Sequence, residues 1–275
     1  MTAAPRPSNQ DQPVHRPDKA GTPVIDDAFM AAVNELSVPE MGTDATAPLL
    51  YWLIRTVRPQ HVLEVGMGYT TPFLAQALRD NATAVDLERS RLGDPAAAEL
   101  QPLAHAEYYE QPYRPRLVCI DRMTDPTSSA PRALKVLDDL GLTGVCTVVE
   151  GDMTGAGERV QQELGLIDFA WIDTWDTLAF VREYWQLINP AGGMLAVHYL
   201  MTYPQGRAIL HYLKSLAGPE GGLEITNLRE PHRTGQNSTT LIRRIRDYVD
   251  PEDLRPQGTA NDPTGVLDRF AGGGR

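Results

Sequence analysis

The stretch HVLEVGMGYTTPFLAQAL, His61 to Leu78, restricts the fold of this chain more than any other. Val62, Leu63 and Val65 make a short apolar run, the pattern of a strand buried on both faces. Gly66 and Gly68 break the run, and Phe73, Leu74, Ala77 and Leu78 then recur at helical spacing. A strand, a glycine turn and a helix form a unit in which helix N–H groups without partners face a ligand. Glycines, lacking a Cβ, let that ligand lie against the backbone. The unit is the first βα step of a nucleotide-type α/β sheet.

The residues around the turn narrow the ligand. A dinucleotide fingerprint, G-x-G-x-x-G, has a third glycine where helix and strand pack closely; here Thr71 occupies that place. Glu64 stands two residues before the first glycine. An acid at the strand tip suits a ligand with a positive end, such as an amino group or a sulfonium, and sits poorly beside a pyrophosphate. The alternative at this point is a glycine turn with no ligand.

Charge and composition exclude other classes. With 25 Lys and Arg against 36 Asp and Glu, the formal net charge of −11 argues against a nucleic-acid partner, which wants a basic face. The basic cluster Arg243, Arg244 and Arg246 is short. No apolar run approaches the ~20 residues that span a bilayer, and the first residues lack the apolar core of a signal peptide. Cys119 and Cys146 fall inside apparent strands and read as small apolar fillers. The expected setting is cytoplasmic.

Along the chain, residues 1–22 are expected to be a disordered tail, 23–250 one domain, and 251–275 a flexible tail rich in Pro and Gly. A helix is expected over Ile25 to Leu36, started near Asp26 or Asp27, and a second is expected to be capped by Thr43 or Asp44 and ended by Pro59. After the first βα step, residues 80–114 read as a long insertion with His105, Tyr108, Tyr109 and Tyr113, either a substrate lid or a loop packed on the surface. Strands follow at Leu117 to Ile120, Cys146 to Glu150, Ile167 to Asp173 and Met194 to His198, with helices between them. The segments LEITNL and STTLIRRI flank a polar turn and read as an antiparallel pair. Asp121, ending the second strand, can accept hydrogen bonds from ribose hydroxyls. Asp152, after the third, can accept from an adenine amine, with Met153 against the ring.

Glu64-x-Gly66-x-Gly68, Asp121, Gly151-Asp152-Met153, Asp173 and Pro190-Ala191-Gly192-Gly193, in this order over residues 40–247, resemble the class I methyltransferases that use S-adenosylmethionine. The layout is similar to the small-molecule O-methyltransferases related to catechol O-methyltransferase. The resemblance implies a Rossmann-like, doubly wound, mostly parallel sheet with an antiparallel C-terminal strand pair and N-terminal helices covering the cofactor site. It implies a cofactor site of Glu64, Gly66, Gly68, Tyr69, Thr70, Thr71, Asp121, Arg122, Asp152, Met153 and Asp173, with S-adenosylhomocysteine as product. Many of these relatives hold a divalent cation through an acid after strand four and an Asp-Asn pair after strand five. Here His198-Tyr199 stands in place of the pair, so a metal is not expected; a softer ion on His198, Asp173 and Asp176 is the minority alternative.

The implied reaction is in-line methyl transfer to O or N of a small, specialised (natural-product) metabolite, in which proximity supplies much of the rate. His198 and Asp173 are the catalytic candidates, His198 as a base near neutral pH or else a strand-end histidine satisfied by backbone. Tyr108, Tyr109, Trp175 and Tyr199 are the candidates for the acceptor pocket. Other readings are an NAD-dependent oxidoreductase and a non-catalytic S-adenosylmethionine-binding protein of the same fold. The expected partner is a small-molecule acceptor, without nucleic acid or membrane, and a homodimer stays open.

Overall fold

A computed structural model describes residues 25–39, 41–92, 109, 111–218, 220–229 and 238–247. The two tails, His105, Tyr108 and the turn at 234–237 lie outside the described residues. The strands are β1 (His61–Val65), β2 (Arg116–Asp121), β3 (Cys146–Glu150), β4 (Phe169–Ile172), β5 (Met194–His198), β6 (Leu223–Arg229) and β7 (Ser238–Arg244). They form one sheet in the order β3-β2-β1-β4-β5-β7-β6. β1 to β5 are parallel, and β7 runs antiparallel to both β5 and β6. The chain builds outward from β1 through β2 to β3, then returns to place β4 on the other side of β1. That reversal opens a crevice at the carboxyl ends of β1 and β4, where open α/β sheets bind ligands.

Alternation of side chains divides the core into two layers. Val62, Cys119, Phe169, Trp171 and Ala196 pack under α1 (Asp27–Asn34), α2 (Thr46–Val57), α3 (Thr71–Arg91) and α4 (Ala130–Asp139). Leu63, Val65, Ile120, Ile172 and Val197 pack under α5 (Gly157–Leu164), α6 (Thr177–Tyr184) and α7 (Pro204–Ser215). Both faces of β1, β2, β4 and β5 are covered, which is why they read as nearly continuous apolar runs, while the edge strand β3 is partly exposed. No described helix is long and apolar enough to cross a membrane.

Several boundaries differ from the sequence expectation. Asp26 caps α1 as expected, accepting from Phe29 N at 2.8 Å. α2 starts after Ala45 without a side-chain cap. α3 runs on to Arg91, so the first third of the supposed insertion is helix. Its apolar pattern stops early because polar side chains take the inward positions there. Gln76, Asp80 and Asn81 are all buried, and Asp80 accepts from Tyr51 Oη (2.6 Å) and Gln76 Nε2 (2.7 Å). Asn81 Nδ2 donates to Ile54 O at 2.8 Å. Buried polar groups with partners cost little. α1 and α2 pack on α3 and α4, with Phe29 edge-on to Phe73 at 5.1 Å.

Candidate functional site

The turn after β1 is held from several sides. Gly66 has φ +90°, a conformation that an L side chain rarely adopts. Asp121, at the end of β2, accepts from Met67 N at 2.8 Å and from the Ser128 hydroxyl at 2.5 Å. The Ser129 hydroxyl donates to Met67 O, and Thr71 Oγ1 accepts from Gly68 N at 2.9 Å. Gly68 serves packing: a Cβ there would lie 3.1 Å from Ser129 Oγ. Ser129 stands immediately before α4, so Gly68 leaves room for the start of that helix.

Glu64 lies beneath the turn and outside the lining of the cavity described next. Its neighbours Leu63 and Val65 face the α5–α7 layer, so Glu64 points under α3 and is wholly buried. Thr70 Oγ1 donates to its Oε1 at 2.6 Å, and Cys119 Sγ to its Oε2 at 3.3 Å. Desolvation pushes its pKa up to about 7, opposed by the Thr70, Thr71 and Cys119 hydrogen bonds and reinforced by the negative charge of Asp173. Glu64 braces the turn from beneath.

Above the turn lies a cavity of about 620 Å³. Of the expected cofactor residues, Gly66, Asp121, Arg122, Asp152, Met153 and Asp173 line it; Glu64, Gly68, Tyr69, Thr70 and Thr71 do not. Arg122 and Asp152 form an ion pair across its mouth. Thr154 N–H and Arg122 hold the Asp152 carboxyl below its usual range. Met153 is buried, and its carbonyl accepts from Tyr184 Oη at 2.5 Å. Tyr69 is half-buried against Phe73, its phenol pushed up by burial and by Asp44. Sequence reasoning missed Asp125, Thr127 and Ser128 in the wall. The signal was the D-P-T-S turn after β2, in which Asp125 Oδ1 accepts from Thr127 N and Oγ1.

Next to the cavity, at the ends of β4 and β5, Asp173 Oδ1 lies 3.0 Å from His198 Nδ1. His198 is 1 % exposed, and its Nε2 has no hydrogen-bond partner. Tyr199 covers it, ring centroids 3.8 Å apart, from a left-handed backbone at φ +70°. Burial and the Asp173 carboxylate push the Tyr199 phenol well above its ordinary pKa. Trp175, 66 % exposed, stacks on Tyr199 at 5.4 Å, and Tyr203 meets Trp175 edge-on at 4.5 Å. A hollow of about 70 Å³ opens among these rings. The strained backbone at Tyr199 marks a position where structure gives up about 1–3 kcal/mol to hold a side chain in place.

Tyr109 goes elsewhere. Its hydroxyl donates to Glu88 Oε2 at 2.8 Å, on the last turns of α3, and Glu88 is paired with Arg58 just before β1. Tyr113 donates to Pro59 O at 2.8 Å. Both lie at the entry to β1, the end of the sheet opposite the cavity. Tyr108 lies outside the described residues. Among the described residues, no group of three or more His, Cys, Asp and Glu side chains is placed to hold a metal ion.

No family model and no curated protein matches this chain in sequence. Solved structures match its fold. An O-methyltransferase from Bacillus cereus in complex with SAH has 14 % identity and a TM-score of 0.55, over 81 % of this chain and 92 % of that one. TomG from Streptomyces achromogenes, an O-methyltransferase involved in tomaymycin synthesis and bound to SAM, has 16 % identity and a TM-score of 0.54 over 80 % and 90 %. The cofactor-bound Rv0187 protein from MTB has 20 % identity and a TM-score of 0.54 over 82 % and 93 %. The chain thus has the Rossmann-like fold seen in those structures.

Proposed function

We propose that this chain is an S-adenosylmethionine-dependent methyltransferase acting on O or N of a small molecule, a specialised metabolite, in a reducing cytoplasmic setting. The observation that carries the reading is the acid-lined cavity of about 620 Å³ over Gly66, at the reversal between β1 and β4. Its size is that of a small-molecule site. Its aspartates, Asp121, Asp125, Asp152, Asp173 and Asp176, suit a ligand with hydroxyl donors and positive charge. Each oxygen of Asp121 accepts one bond already and keeps a further lone pair for a ribose hydroxyl. Asp152 and Met153 are the candidates for the adenine end. The bound SAM and SAH of two structural neighbours support the same cofactor.

The same geometry opposes a dinucleotide. A pyrophosphate needs free N–H groups at the turn, yet Met67 N is taken by Asp121 and Gly68 N by Thr71. The one arginine in the wall, Arg122, is already paired with Asp152.

S-adenosylmethionine would supply an electrophilic methyl group on a sulfonium that leaves readily. The chain would supply position and a proton acceptor. His198 Nε2 is covered by Tyr199, so Asp173, 23 % exposed, is the half of the pair that reaches the cavity. The Asp173–His198 pair takes the acceptor's proton, and His198 fixes the carboxylate. Incubating the full chain with methyl-deuterated S-adenosylmethionine and a panel of phenols, alcohols and amines tests this. Mass spectrometry should find the label on an acceptor. Cofactor binding with no transfer to any acceptor would favour a non-catalytic binding protein.

A further inference from the structure

The chain's two cysteines, Cys119 in β2 and Cys146 in β3, come together as free thiols. Their sulfurs lie 3.6 Å apart, although the strands pair Cys119 with Val148 and Cys146 with Leu117. The two side chains therefore lean toward each other along the diagonal of the strand pair. Cys119 is wholly buried. Cys146 is half-buried at the first residue of β3, an edge strand hydrogen-bonded to β2 alone.

Cys119 has a second polar neighbour. Its Sγ donates to Glu64 Oε2 at 3.3 Å. Burial, with Cys146 and Glu64 alongside, pushes the Cys119 thiol well above its ordinary pKa, so it keeps its proton. A buried thiol alone is inert, because the thiolate is the nucleophile. This one has a sulfur on one side and a proton acceptor on the other, the surroundings of a resolving thiol with its base.

We propose that Cys146 and Cys119 are a redox-responsive pair that reacts with a low-molecular-weight disulfide, with Glu64 as the base of the closing step. The Cys146 thiolate, its proton given to water, displaces one small thiolate and forms a mixed disulfide. Cys119 then attacks the Cys146 sulfur as its own proton passes to Glu64, and the second small thiolate leaves. The pair gives up two electrons and two protons, and the small disulfide becomes two thiols. Diagonal neighbours stand farther apart than directly opposed ones, so closing the sulfurs from 3.6 Å to about 2 Å shifts the backbone at Cys146. The start of a strand paired on one side only permits that shift. In a reducing setting the bond is transient, the form in which cytosolic disulfides act as sensors.

Incubation of the full chain with glutathione disulfide at mildly alkaline pH tests the proposal. Intact mass should fall by two hydrogens with no glutathione retained. Peptide mapping should join Cys119 to Cys146 within one chain, and dithiothreitol should reverse the change. Cys119→Ser should stop at a glutathione adduct on Cys146, and Cys146→Ser should take up none. Glu64→Gln, which keeps an oxygen for the Thr70 hydroxyl, should close about tenfold or more slowly while forming the Cys146 adduct at the parent's rate. A lasting adduct on the parent, a link between two chains, no reaction, or an adduct on Cys146→Ser would overturn the pair. Closure of Glu64→Gln at the parent's rate would overturn the role of Glu64. The parent's mass and peptide map decide the pairing even where a cysteine variant fails to fold.

Discussion

Replacing Glu64 by Gln separates the charge of a buried carboxyl from its shape. Burial raises its pKa from the ordinary 4.5 to about 7, so the folded chain holds this proton more tightly than the unfolded chain does. Below 4.5 both states are protonated and the group has no effect on stability. As the pH rises from 4.5 to about 7, the unfolded chain ionises first and the folded state loses ground. At 1.36 kcal/mol per pH unit, the loss reaches about 3 kcal/mol and then levels off. Glutamine keeps an oxygen for the Thr70 hydroxyl and has no proton to lose. Glu64→Gln should therefore match the parent near pH 4.5 and exceed it by up to about 3 kcal/mol near pH 8. Urea unfolding followed by circular dichroism across this range gives the difference directly, and groups common to both chains cancel. A difference that stays constant with pH, or a parent that is the more stable near pH 8, would refute the placement of Glu64.

Gly66→Ala meets only Asp173 O, at 3.8 Å, so its cost comes from φ +90°; about 1–2 kcal/mol of strain should weaken calorimetric affinity for S-adenosylhomocysteine about tenfold. Asp121→Ala removes the acceptor for Met67 N and Ser128 and should cost about 1.5–3 kcal/mol of that affinity; an unchanged constant contradicts the site. His198→Asn should lower kcat by about 10²–10⁴-fold, with cofactor affinity held; near-normal kcat would leave proximity alone as the source of rate. Tyr109→Phe should cost about 1 kcal/mol in urea unfolding and leave KM for any verified acceptor unchanged, since its hydroxyl serves Glu88; a raised KM would restore it to the acceptor site.

The sheet was legible because β1, β2, β4 and β5 are buried on both faces and appear as mostly apolar runs between turn residues. That Gly66, Asp121, Asp152 and Asp173 come together around one cavity was legible as well, since residues at or just after strand ends fall on one edge of such a sheet. What failed has a physical cause in each case. α3 ran on past the expected end because Asp80 and Asn81 are buried with partners, which breaks an apolar stripe without breaking the helix. Tyr109 was assigned by composition, and composition does not say which end of the sheet a connection visits. Asp168, which clamps Gln60 N and His61 N at 3.0 Å each, was passed over because its partners lie more than a hundred residues away.

Titration calorimetry of the full chain with S-adenosylmethionine, S-adenosylhomocysteine and NAD⁺ tests the central claim. Saturable one-to-one binding of both sulfur ligands, weakened in Gly66→Ala and Asp121→Ala, with no heat from NAD⁺, is the expected result. Binding of NAD⁺ with no response to either sulfur ligand would contradict it.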